Sequence, residues 1–310
     1  MRTNAEIFDD FVLRQIRILR FANMMGRTST EILIQSDKVI RDLIVAKLAG
    51  FRGLETQGSI RAMLGLISRV KALRQTAWSK MEAYIIDQIK ALIEDQSEWW
   101  LETVEPEKKR IPALVALVLS TQFEGFTLKQ WINRSYVDDQ RRIEAMIRSG
   151  MSSAKGSTTI ANGAMAAARI SRRNVLTIAK TGSVLTASKV NDEILIATEE
   201  IQRERYTAVL DSRTTVLCAS LDGRVYPVRS GPHPPLHFNC RSMRVPIGQG
   251  PQVKETTYAD WLRSQPNSIQ DEVLGKSRAN SFRRNELTLD RFIDETGREL
   301  TVKELRRKTA

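Results

Sequence analysis

The only two cysteines and the only two histidines of this 310-residue chain fall in one short window, in the order Cys218, His233, His237, Cys240. Thiolate sulfur and imidazole nitrogen are the ligands a tetrahedral zinc takes, so four of them on a Gly/Pro-broken loop make a candidate structural zinc site. The order Cys-x14-His-x3-His-x2-Cys leaves room for one closed ligand set built from all four. A second reading needs no metal: Cys218 packs as a small hydrophobe while His237 and Cys240 hold the loop by packing and hydrogen bonds. A disulfide staple is less expected. The longest apolar runs fall well short of a membrane span and the first residues are acidic rather than basic, so the chain reads as a soluble protein made and used in a reducing cytoplasm.

The residues flanking this window have their own chemistry. Asp211 and Asp222 suit turns whose carboxylates accept backbone N–H bonds, and Asp222-Gly223 is itself a turn signal. Arg213 and Arg241 are expected to bridge the two aspartates with bidentate salt links, a structural role rather than a catalytic one. Pro227, Pro232, Pro234 and Pro235 stiffen the chain around the histidines and reduce the entropy lost on ordering it.

The elements that must position these groups change in texture along the chain. Residues 1–149 read as a helical docking or assembly region. Its first helix ends near Gly26, a second opens at Ser29/Thr30, and one long amphipathic helix, or two joined near Gly65, runs from Ser59 to about Leu101. Pro106 and Pro112 punctuate the next stretch, and helix resumes over 113–119 and from Leu128 to about Ser149. Residues 150–206 read as a basic linker with helices: a Ser/Thr/Gly-rich loop over 149–163, then helices over 164–179 and 187–206. Residues 207–310 read as a small irregular module with short β-capable pieces at 214–217, 224–228 and 243–246. The fold class is therefore α+β, a mostly helical N-terminal half followed by a loop-rich α+β module. Trp78, Trp99 and Trp100 read most simply as core or interface anchors, with Trp99 and Trp100 looking exposed enough to serve a partner.

Charge points to a polyanion. The net charge is +12, and residues 141–180 carry eight Lys/Arg against the single acid Glu144, with no further Asp or Glu until Asp192. Arg169, Arg172, Arg173 and Lys180 lie on the small-residue helix of this segment and are the candidate sequence-independent DNA contacts. A solvated face that meets an acidic protein surface is the alternative.

The run Leu210-Asp211-Ser212-Arg213-Thr214, then Cys218, then Leu221-Asp222-Gly223-Arg224-Val225-Tyr226, then Pro234-Pro235-Leu236-His237-Phe238-Asn239-Cys240-Arg241 resembles the signature of the Mu F-type phage head morphogenesis, or minor capsid, proteins. Three later motifs extend the likeness, at 257–262, 270–278 and 300–306. The resemblance covers roughly residues 165–310 and is strongest over 207–306. Family members commonly carry Cys-x2-Cys where this chain has Thr215 and Cys218, and Cys-Arg-Cys where it has Cys240-Arg241-Ser242. Two of the usual metal ligands are thus replaced by hydroxyls, leaving Cys218, His237 and Cys240 with His233 as the remaining soft candidate for a fourth.

The resemblance implies a virion protein of the head interior or portal vertex. Its partners would be portal, capsid or scaffold proteins and packaged double-stranded DNA, with no membrane, and its part would be in DNA packaging, retention or delivery. The competing class is a zinc-dependent nuclease or other hydrolase with Asp211 or Asp222 as base. Against it, the chain has no His-Glu-x-x-His motif, and the absence of a phosphate loop argues against an ATP-driven motor.

Overall fold

The structure is a computed structural model that describes residues 3–51, 53–54, 56–104, 111–198, 201–248, 250–251, 255–294 and 298–309. It is α+β, dominated by long helices. In chain order these are α1 (Asn4–Lys47), α2 (Gln57–Val104), α3 (Ile111–Ser120), α4 (Leu128–Ser152) and α5 (Ser157–Ile196). Between α3 and α4 sits a hairpin of β1 (Gln122–Phe123) and β2 (Phe126–Thr127). The C-terminal part carries β3 (Arg203–Thr207), α6 (Val216–Leu221), β4 (Val225–Pro227), β5 (Met243–Ile247), α7 (Tyr258–Ser264), α8 (Asn267–Leu274), α9 (Lys276–Arg283) and α10 (Val302–Thr309). Among the described residues, no helix is long and apolar enough to cross a membrane.

The chain divides into two compact units. One comprises Met1–Leu19, Trp99–Lys108 and Ala187–Ala310, the other Arg20–Glu98 and Lys109–Thr186. Helices α1, α2 and α5 each contribute to both, so the boundaries suggested by texture at 149/150 and 206/207 are not the boundaries of the packed units. Pro106, expected to punctuate the chain, lies outside the described residues.

In the helical unit four helices share one core. Ile40 and Ile44 of α1, Leu66, Ile67 and Val70 of α2, Ile143 and Ile147 of α4, and Ile160, Ala161, Ala164 and Ala168 of α5 are all buried in it. Small residues let α5 approach closely: a Cβ on Gly150 would sit 2.6 Å from Ile160 Cγ1, and one on Gly26 would sit 3.0 Å from Leu176 Cδ2. That packing explains why α1 does not end at Gly26. Its glycine is a contact point, and Ser29 bonds back to the Met25 carbonyl at 2.7 Å instead of capping a new helix. The loop expected over 149–163 shrinks to a turn between α4 and α5, and the helices expected over 164–179 and 187–206 are a single helix to Ile196. Thr186 and Ser183 direct their hydroxyls to the Gly182 and Ala179 carbonyls, so this polar stretch stays helical.

A polar seam crosses the same unit. Arg74, fully buried, donates to Asp139 (2.7 Å) and to Asp37 (2.7 Å). Asp139 also accepts from Trp78 (2.9 Å) and Ser171 (2.6 Å), and Arg142 donates to Ser171 (2.9 Å). Groups from all four core helices meet in this seam, so it ties their register as well as their charge.

The other unit gathers the opening turns of α1 with the C-terminal elements. Phe11 packs edge-on against Trp99 and Trp100 at 4.9 and 5.3 Å, and Trp100 is fully buried with its indole N–H on Asn191 at 2.7 Å. Trp100 is therefore a core residue, as is Trp78, in keeping with the core reading, and Trp99 is half-buried, so the exposed reading of the pair does not hold. Asn4 takes the Gly248 N–H at 2.8 Å, and Gln15 donates to the Arg241 carbonyl at 2.8 Å. The sheet has the order β4-β3-β5, antiparallel throughout. Residues 203–206, expected to be helical, form its central strand because Glu204 and Tyr206 alternate inward while Arg203 faces out. The piece at 214–217, expected to be β, instead starts α6, since Thr215 caps the Cys218 N–H.

Candidate metal centre

Cys218 lies one turn into α6, where the Thr215 cap fixes its direction. Cys240 and His237 come from the loop that leads into β5, and the Cys240 N–H bonds the His237 carbonyl at 3.1 Å, a short turn that folds both side chains to one side. The ligand atoms of Cys218, His237 and Cys240 all lie within 4.8 Å of one another. The Cys218 and Cys240 sulfurs are 3.8 Å apart, and Cys218 Sγ is 3.2 Å from His237 Nε2. A zinc tetrahedron with bonds of about 2.0–2.3 Å has S–S edges of about 3.8 Å and S–N edges of about 3.5 Å. The arrangement therefore fits a metal closely on one edge and with little movement on the other.

The surroundings favour ligands in the right form. His237 Nδ1 faces the Phe238 carbonyl at 2.9 Å, which holds the proton on Nδ1 and turns the Nε2 lone pair toward Cys218. Cys240 sulfur accepts the backbone N–H groups of Leu236 and Ser242. Without an ion the pair shares its protons unequally. The Cys240 thiol beside Cys218 holds that sulfur well below the usual thiol range despite burial, with His237, Ser242 and Tyr206 adding to the effect, and Cys240 is pushed up correspondingly. Cys218 likewise raises His237.

The two positions where the resemblance leads one to expect cysteine, Thr215 and Ser242, both touch this cluster. Thr215 Oγ1 is 3.1 Å from His237 Nε2, and the Ser242 hydroxyl bonds the Cys218 sulfur. Tyr206 closes the floor with its hydroxyl 3.2 Å from Cys218 Sγ, and burial beside the two sulfurs raises its own phenol. The i, i+3 spacing of Thr215 and Cys218 signals their proximity in the sequence, whereas nothing there signals Tyr206.

His233 does not belong to the cluster, which corrects its expected role as fourth ligand. Its Nδ1 faces Asp192 at 2.9 Å and its Nε2 faces the Arg244 guanidinium at 2.7 Å. Arg244 is itself buried, donating to the Ser230 and Pro227 carbonyls and lying 3.1 Å from Glu204 without hydrogen-bond alignment. Burial pushes the Glu204 carboxyl up to about 7, with Arg244 opposing and Asp192 reinforcing the shift.

The motif residues around the centre are one another's partners. Arg241 makes the expected bidentate pair with Asp211, both bonds at 2.6 Å. Burial opposes ionisation of Asp211, but Arg241 outweighs it and the carboxyl falls to about 2. Arg213 also pairs with Asp211, but through one exposed contact at 3.4 Å rather than the expected bidentate link. Asp222 takes backbone N–H groups, from Ala208 (2.6 Å) and Tyr258 (2.7 Å), in place of an arginine. Gly223 adopts φ 79°, the left-handed conformation that the turn requires.

The four candidate DNA contacts separate. Arg169 and Arg173 are exposed one turn apart on α5 and Lys180 is half-buried, but Arg172 is ion-paired with the buried Asp37 and so is spent inside the helical unit. No family model, curated protein or solved structure matches this chain.

Proposed function

We propose that this chain is a bacteriophage minor head protein that acts in head morphogenesis, bound to the portal or procapsid interior, and that it is a structural protein rather than an enzyme. The observation that carries this reading is the closure of the separated motifs on each other. Asp211 pairs with Arg241, and Tyr258 from the later motif donates its hydroxyl to the Asp211 carbonyl at 2.8 Å while its N–H bonds Asp222. Residues that carry the resemblance are thus a mutually dependent set, as expected of a shared module. The nuclease alternative is weakened by the same contacts, because both carboxylates offered as its base are occupied by fixed donors.

Within this reading the centre is a structural zinc site in which Cys218, His237 and Cys240 are the ligands and the Thr215 or Ser242 hydroxyl, or a water, completes the set. Packaged DNA meets the exposed Arg169 and Arg173 rather than all four basic residues. Affinity-tagged chain recovered from phage-infected cells should bring portal or capsid protein with it, and the zinc-loaded protein should leave plasmid DNA intact. DNA cleavage that disappears on changing Asp211 or Asp222 would assign the enzyme reading instead. Replacing Arg169 and Arg173 together should flatten the salt dependence of DNA binding by about two counterions, and an Arg172 replacement should instead lower stability.

A further inference from the structure

Two buried sulfurs at 3.8 Å, drawn from α6 and from the loop before β5, are close enough to exchange a metal for a covalent bond. We infer that Cys218 and Cys240 form a redox-gated clasp: a hydroperoxide converts the pair to a disulfide, and the disulfide and a bound metal exclude each other. The exclusion rests on the zinc reading above; the disulfide itself does not.

The geometry carries the covalent step. Among the described residues these are the only sulfurs of cysteine, and each has the other as its neighbour. His237 on one side and Tyr206 on the other hold Cys218 in place, while the Leu236 and Ser242 N–H groups hold Cys240. Both thiols are at most 2% exposed, which selects a small oxidant such as hydrogen peroxide over a bulky disulfide.

The chemistry balances in two displacements. Cys218 sulfur attacks one peroxide oxygen, the O–O bond breaks, and the departing hydroxide takes up the thiol proton, giving a sulfenic acid and one water. Cys240 sulfur then attacks the Cys218 sulfur, the S–OH bond breaks, and hydroxide leaves with the Cys240 proton as a second water. The peroxide is reduced and the two thiols are oxidised to one S–S bond. That bond consumes both thiolate ligands, so His237 alone remains of the three and a metal is released.

The test uses the full chain, purified reduced, with and without stoichiometric zinc. After hydrogen peroxide treatment, peptide mapping without reductant should find a Cys218–Cys240 crosslink, loss of both alkylatable thiols and full recovery on adding a thiol reductant. The zinc-loaded sample should crosslink more slowly and release its metal to a chromophoric chelator in step with crosslinking. Thiols that stay reduced, or Cys218 oxidised to the sulfinic acid with no crosslink, would overturn the clasp. A crosslink in protein that direct metal analysis shows never to take up zinc would overturn the exclusion and the zinc reading while leaving the disulfide. In Cys240→Ser the sulfenic acid should persist and be trapped by a dimedone probe. Because the crosslink is read on the unaltered chain, poor folding of that variant does not decide the outcome.

Discussion

Thr215 Oγ1 lies 3.1 Å from His237 Nε2, so the residue that caps α6 also stands beside the histidine nitrogen of the candidate metal centre. A hydroxyl there satisfies the histidine but is a poor zinc ligand, so on the zinc proposal the ligand set is one sulfur short. Thr215→Cys places a thiol on the same turn of helix as Cys218. Zinc affinity measured by chelator competition should tighten by at least about tenfold, ~1.4 kcal/mol. A cysteine at this position that leaves affinity unchanged would show that the fourth direction points elsewhere, with Ser242→Cys as the companion variant. Some of the gain is offset by the lost cap, worth about 1 kcal/mol of fold stability.

Two of the perturbed carboxylates, Asp211 and Glu204, give stability opposite dependences on pH. Asp211 is held down to about 2, so its contribution is complete above the ordinary carboxylate pKa and is lost as pH falls from near 4 toward 2. Glu204 is pushed up to about 7, so the folded state holds its proton more tightly than the unfolded chain does, and stability declines as pH rises from about 4.5 to 7. Each slope is at most about 1.4 kcal/mol per pH unit. Urea unfolding at a series of pH values should show a steeper upper decline in the wild type than in Glu204→Gln, where the raised Asp222, Glu255 and His237 remain.

Arg74 neutralises two buried aspartates at once, and its removal leaves Asp37 to Arg172 alone and Asp139 to the Trp78 and Ser171 hydrogen bonds. Arg74→Ala should cost about 3–5 kcal/mol in chemical denaturation, more than truncating a comparable surface arginine. Changing Arg74 and Asp139 together to apolar residues of similar volume, which keeps the Arg172–Asp37 pair, should recover part of that loss. If the single variant unfolds at the wild-type denaturant midpoint, the seam contributes nothing to stability.

A fragment beginning near Ser183 keeps the motifs of the resemblance but lacks the first turns of α1 and Trp99–Trp100, which belong to the same unit. Such a fragment loses the Trp100 bond to Asn191 with the Phe11–Trp99–Trp100 ring cluster, and Asn4 and Gln15 from the Gly248 and Arg241 backbone. It should bind a hydrophobic dye and show weak amide protection. Well-protected amides across β3 and β5 in that fragment would show that residues 3–19 and the Trp99–Trp100 pair are dispensable.

Much of this was legible in the residues. The helical spacing of 59–101 marks α2, the turn at Asp222-Gly223 is where the sequence puts it, and β4 and β5 fall on the β-capable pieces. The misreadings share a cause: local punctuation was overruled by packing. Gly26 looks like a helix end until Leu176 is seen against it, and 203–206 looks helical until Glu204 and Tyr206 are paired into a sheet. The centre followed the same rule. The clustering of Cys and His drew attention to the window, but only the fold separates His233, committed to Asp192 and Arg244, from the three residues that converge. Arg172 was likewise indistinguishable in sequence from its neighbours Arg169 and Arg173, since its partner Asp37 lies far away along the chain.

The discontinuity of the two units sets an order for their birth on the ribosome. All of the helical unit lies between Arg20 and Thr186, so it can close before residues 187–310 are made. The opening turns of α1 meet Trp99 and Trp100 early, but their bonds to the Gly248 and Arg241 backbone wait for residues that follow the helical unit. Those apolar turns are therefore only partly covered until β5 is made, and this delay is where chaperone capture or premature aggregation would act.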